Sequence, residues 1–167
     1  MCIVVFALIV LVMINRRLNS DKTSYVPVDL TSFSIQALTD EQITQSSDCS
    51  NALGAKWDRA GEKSGITDES FIEADYSKMN YRAKKLNGIK TVSVTLAEDC
   101  FLSLDVDLKV GSGNVAVAII MDGELLEIVK DETTFNRQYS VEGKHIFRVK
   151  VLAESAELEI SVKRVLS

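Results

Sequence analysis

The rhythm of hydrophobic and polar positions changes twice along these 167 residues, dividing the chain into three stretches. From Cys2 to Ile14 every position is apolar, with neither alternation nor a helical stripe, so no face of that run suits water. As a helix it would cover roughly 20 Å, whereas a hydrocarbon core is about 30 Å thick and takes about 20 apolar residues to cross. The stems of Arg16 and Arg17 can snorkel and narrow that gap. Residues 1–18 are therefore expected to be a hydrophobic anchor helix in a lipid bilayer, or an export signal whose basic start lies upstream. A buried strand is the bland alternative. No basic residue precedes the run, and Asn15 to Ser20 contains no small-residue cleavage site, so an uncleaved anchor is expected.

Residues 19–50 lose the apolar period. They are rich in Ser, Thr, Asp, Asn and Gln, hold the one proline, Pro27, and read as a polar linker. Within them Thr39-Asp40-Glu41-Gln42 fits a capping box, which predicts a short helix from Asp40 to Ser46. Brief apolar alternations at 25–30 and 33–38 would add an edge strand or lie on the domain.

Over residues 51–167 the pattern settles into period two, clearest after Gly65. Leu102, Leu104, Val106, Leu108 and Val110 share one strand face, with Ser103, Asp105, Asp107 and Lys109 on the other. Val92, Val94 and Leu96 form the inward set before them. Phe135, Tyr139 and Val141, then Phe147, Val149 and Val151, then Leu158, Ile160 and Val162 continue the pattern. Val115 to Met121 is apolar on both faces, as in a central strand covered on each side, and it ends at Asp122-Gly123, a type I′ hairpin signal. Short strands separated by turns, with no helical pattern after residue 50, predict an all-β fold: an antiparallel β-sandwich.

Charge narrows the partners. The chain carries 19 basic against 24 acidic residues, a net −5, and two of the basic residues flank the leader. That argues against nucleic acid, whose binding needs a basic footprint. Arg16 and Arg17 alone would favour a cytoplasmic C-terminal flank, whereas the fold type favours the outer side. In an oxidising compartment Cys49 and Cys100 would be free to form a disulfide.

Candidate chemistry is sparse. The one histidine, His145, lies in step with Phe147 and Val149 and is expected to face inward as a structural side chain. A Cys100 and His145 pair is the only basis for a small thiol-dependent hydrolase. Asp105 and Asp107 project from one side of a strand, which calcium could use, although a wet face needs such residues anyway. No cofactor fingerprint is present, and none is expected. Trp57, Tyr76 and Tyr81 precede the regular strands and could display rings to a sugar, making a carbohydrate-binding module the second alternative. Phe101 breaks the polar side of its strand and marks a candidate contact surface.

The succession SVTLAEDCFLSLDVDLKVGSGNVAVAII followed by YSVEGKHIFRVKVLAESAELEISVKRV resembles the small β-sandwich domains of uncharacterised cell-envelope proteins in Gram-positive bacteria, over residues 65–167. The resemblance implies an exported domain held at the cell membrane and supplies no catalytic residue. The expectation is a membrane-tethered, non-enzymatic, extracytoplasmic protein that meets a protein or cell-wall glycan partner.

Overall fold

Two strands dominate the architecture, β3 (Tyr76–Met121) and β5 (Thr134–Leu166), and their pairing rules out a straight course for either. Glu98 lies opposite Lys144, yet Leu102 lies opposite Leu166. The chain from Glu98 to Leu102 can reach at most about 14 Å, whereas Lys144 to Leu166 would span roughly 70 Å if extended. β5 must therefore double over, and β3 folds with it.

The computed structural model describes residues 26–46, 48–63, 76–130 and 133–167. The expected anchor, residues 1–18, lies outside them, and among the described residues no helix is long and apolar enough to cross a membrane. β1 (Cys49–Leu53), β2 (Lys56–Lys63) and β4 (Glu124–Val129) each pair with β3, and every pairing is antiparallel. A single 3-10 turn (Ile35–Ala37) and α1 (Asp40–Gln45) precede them.

The bends occur where register slips, at 86–88 and 112–114 of β3 and between Ala153 and Ala156 of β5. Gly88 has φ 120°, and a Cβ there would sit 2.1 Å from the Cys49 carbonyl oxygen. Gly113 has φ 77°, with a Cβ position 2.6 Å from the Glu154 carbonyl oxygen. Neither position tolerates a side chain, so these glycines are where three neighbouring strands turn together. A second corner sets Asp99, φ 45°, near Gly143, φ 81°, whose N–H donates to the Asp99 carboxylate at 2.7 Å.

The folded ladder has two limbs. In the front limb 134–141, 101–110, 156–166, 76–86 and β2 lie side by side; in the back limb the order is β4, 114–121, 144–153 and 88–98. Leu102, Leu104, Val106, Leu158 and Ile160 from the front meet Val117, Ile119, Phe147, Val149 and Val151 from the back in one core. Full burial of one such side chain contributes about 1.5–3 kcal/mol.

Three details depart from simple alternation. Register slips between Thr91 and Ser93, leaving Val92 as a bulge, and the inward face changes parity there. Val92 and Ala97 both join the core, while Leu96 is only half-buried and Thr95 is 1% exposed. Val110, expected inside, is 41% exposed because it stands at the bend before Gly111. Residues 26–46, expected within a polar linker, lie against the outer face of the back limb, so their apolar alternations rest on the domain and add no edge strand, and the strands begin at Cys49, ahead of the expected boundary at 51.

That outer face explains the doubly apolar stretch Val115–Met121. Val117 and Ile119 point into the core, while Ala116, Ala118 and Ile120 join Ile89 and Leu152 beneath Ile35 and Ile43 of the covering segment. α1 forms where the capping box predicts: Gln42 N–H donates to Thr39 Oγ1 at 3.2 Å, and Thr39 N–H to Gln42 Oε1 at 3.0 Å. The Asp122-Gly123 turn is also present, with φ 49° and 87°, and β4 runs back beside 117–121.

Candidate binding groove on the open face

The front limb's outer face carries no covering segment among the described residues. Tyr81, Ala83, Leu108, Leu158 and Ile160 point into the core, so their neighbours along each strand point out. Register then sets Lys56 opposite Arg82, Arg82 opposite Glu159, and Glu159 opposite Lys109. With strands about 4.8 Å apart, this row crosses four strands over roughly 14 Å. Next to it Lys84, Gly54, Gly111 and Glu157 complete a groove of about 490 Å³. The groove continues over Asp58, Lys78 and Asn80 towards Trp57.

Its electrostatics run against those of the whole chain. Five cations, Lys56, Lys78, Arg82, Lys84 and Lys109, face three carboxylates, Asp58, Glu157 and Glu159. Lys109 meets Glu159 only at 4.0 Å, with both side chains more than half exposed. Lys56, Arg82 and Lys84 form no ion pair among the described residues. Such solvated cations retain their charge for an incoming anion, and little desolvation opposes its approach.

The candidate aromatics are only partly assembled. Trp57 lies opposite Tyr81 in register, their ring centroids 4.6 Å apart and their planes tilted by 50°. Tyr81 is 2% exposed within the core, its hydroxyl held above the usual phenol range by burial and then by Asp48. Lys90 and Arg59 stand over the Trp57 ring at 5.6 and 5.5 Å. Trp57 is thus a half-buried seal with one side on the groove, not half of a flat sugar platform. Tyr76 sits opposite Lys63, at the far end of β2, and does not join the pair. Phe101 lies at the far end of the open face, 65% exposed and diagonal to Val165. Its backbone pairs with Ser167 through bonds of 2.8 and 3.1 Å.

His145 does not face inward. Its Nδ1 meets the Asp122 carboxylate at 2.6 Å and its Nε2 the Glu142 carbonyl at 3.0 Å, so both nitrogens are engaged. Cys100 sits opposite Val141, three ladder steps beyond the Ala97–His145 pair and past the Asp99 corner. No Cys100 and His145 dyad is assembled. Cys49 and Cys100 are both free. Cys49 lies opposite Ile89, and Cys100 is eleven residues further along β3, roughly 35 Å for extended chain, whereas a disulfide needs Cα atoms within about 7 Å. Asp105 is occupied by the Asn136 amide, and among the described residues no three His, Cys, Asp or Glu side chains gather to hold a metal ion.

Two polar residues without a prior role prove structurally important, both on the outer face of the back limb. Lys150, 3% exposed, donates to the carbonyls of Ile43, Thr44 and Ser46 at 2.8, 3.2 and 2.9 Å, a cation at the C-terminal end of α1. Burial pushes its pKa down to about 8, with Asp48 pulling the other way. Glu154, two strand positions beyond Leu152, accepts from Ile35 N–H at 2.5 Å and from the Asn114 amide at 2.8 Å. The Asn114 bond and then the Ile35 bond hold its carboxyl below the usual range. The signal for Lys150 was a lone lysine inside Val149-Lys-Val-Leu152; the signal for the groove was Arg82-Ala-Lys84, basic at period two.

Comparison of the chain with protein-family models and with curated proteins returns no match.

Proposed function

We propose that this chain is a membrane-tethered, non-enzymatic β-sandwich that works outside the cytoplasm by contact with a protein or cell-wall partner. In this reading the two limbs are the layers of the sandwich and residues 1–18 are its hydrophobic anchor helix. The observation that carries the reading is the fastening of residues 26–46, held by Lys150 at the end of α1 and by Glu154 at the 3-10 turn. A segment fastened at its 3-10 turn and at the end of α1 passes on the position of whatever precedes it. Between Leu18 and Val26 the chain can extend at most about 28 Å, so an anchor there would keep the sheet close to the bilayer. The bare front face is then the surface left to meet a partner.

The test is made on the full-length chain in intact cells. Protease added outside should degrade the domain, and alkali-washed membranes should retain the protein but lose a variant lacking residues 2–18. Full-length protein recovered in the soluble fraction, or a domain protected until the cells are lysed, would refute the proposal.

A further inference from the structure

We infer that the groove across the front limb binds an extended phosphate-bearing polymer other than nucleic acid, which lies across the strands along the Lys56–Arg82–Lys109 row. This names the partner class for the contact reading above, and it rests on that reading only for where the partner is met. Three observations carry it. First, a chain of net −5 gathers five cations against three carboxylates at one groove, and Lys56, Arg82 and Lys84 have no ion-pair partner among the described residues. Charge complementarity therefore selects an anion against the net charge of the protein.

Second, the cations are spread out. Lys56 and Arg82 occupy adjacent strands, and Lys109 lies two strands further on, so the heads are distributed over roughly 14 Å instead of converging on one point. A single small anion would meet one or two of them, whereas a polymer with a charge at each repeat can meet all three and release counterions at each contact. Arg82 contributes the planar fork that grips a phosphate through two parallel hydrogen bonds, and the lysines act as point charges. Third, the groove does not stop at the row: it continues along the strands past Asp58, Lys78 and Asn80, so a chain longer than the row has further lining to follow.

Trp57 supplies the reporter, since it is the one tryptophan of the chain and it lines the continuation of the groove. Full-length protein in neutral detergent, titrated with short-chain inorganic polyphosphate, should show a saturable change in tryptophan emission. With three phosphates neutralised, affinity should fall roughly twenty- to fortyfold when salt is raised fourfold. The exposed double variant Lys56→Gln/Arg82→Gln should keep its circular dichroism and bind about tenfold more weakly, while Lys130→Gln, outside the groove, should bind as the wild type does. Absence of saturable binding, equal weakening in both variants, or tighter binding of poly-glutamate of equal length would overturn the assignment. The measurement does not depend on cell location, so its failure leaves the tethering proposal standing, and a failure of tethering leaves the groove result intact.

Discussion

β5 presents two outer faces, one on each limb, and they have met opposite fates. On the back limb the alternate positions Lys150, Leu152 and Glu154 are sealed under residues 26–46, and the Lys150 amine and Glu154 carboxylate find partners in the covering backbone and in Asn114. On the front limb the alternate positions Glu157, Glu159, Ser161 and Lys163 remain outside, and the nearest ion pair is a loose 4.0 Å contact. The difference shows that a charged residue on a strand is structural or available according to what covers it, not according to its type. A covered charge must be satisfied, since leaving it unpaired costs several kcal/mol, and satisfaction takes it out of play.

The largest effect should come from emptying the seal. Ile43, on the covering segment itself, is 1% exposed and packs down onto the back limb, so Ile43→Ala should lower stability by about 3 kcal/mol in denaturant unfolding. A loss below about 1 kcal/mol would mean that the cover contributes little packing and that the two outer faces are more alike than they look.

Next comes the clasp itself. Lys150→Met keeps the apolar stem but leaves three carbonyls without their donor, for an expected loss of about 2 kcal/mol. It should also change the pH profile. The Lys150 pKa is pushed from 10.5 down to about 8, so between those values the unfolded chain binds more protons than the folded one. Stability attributable to this group therefore rises with pH from about 8 towards 10.5 and falls as pH drops through about 8. The wild-type minus variant difference should trace that rise, and a flat difference curve would remove burial as the cause of the shift.

The contrast between faces also explains what could be read from sequence. Period two revealed the strands, and a stretch apolar on both sides revealed that something covers Val115 to Met121. That the brief alternations at 25–30 and 33–38 could lie on the domain was legible; where they dock was not, because two of the contacts that fasten them join positions more than a hundred residues apart, from Ile43 to Lys150 and from Ile35 to Glu154. Polar residues that look suited to solvent became buried partners. The bulge at Val92 left no compositional mark, yet it reversed the inward face beyond it. Beyond the period-two pair Arg82 and Lys84, the groove is a product of register: Lys56, Arg82 and Lys109 belong to different strand segments and become neighbours only when four strands align. The Cys49–Cys100 expectation failed for the converse reason, since cysteine count says nothing of distance.

A smaller effect is expected at His145, on the rim between the two faces. Both of its partners, the Asp122 carboxylate and the Glu142 carbonyl, are acceptors, so keeping both bonds requires a proton on each ring nitrogen. The Asp122 hydrogen bond, then the Glu142 carbonyl, raise its pKa above 6.5. The stabilisation is thus fully present below pH 6.5 and is lost as pH rises through the higher folded value, opposite in direction to Lys150. Because it is the one histidine, nitrogen-resolved NMR reads it without ambiguity. Two protonated nitrogens persisting above pH 6.5 are expected; a neutral tautomer at that pH would break the latch.

The smallest effect on stability should come from Phe101, and that smallness is informative. The ring is 65% exposed on the open face, so Phe101→Ser removes little buried area and should shift stability by no more than about 0.5 kcal/mol. Its backbone bonds to Ser167 survive the change, which keeps the end of β5 in register. On the sealed face the same apolar-to-polar exchange at Leu152, 0% exposed, should prevent the cover from docking. If Phe101→Ser instead destabilised the protein by an amount comparable to Ile43→Ala, the front face would have to be covered in solution, and the division between a sealed and an open face would be lost. Thermal unfolding of both variants in one buffer decides between these outcomes.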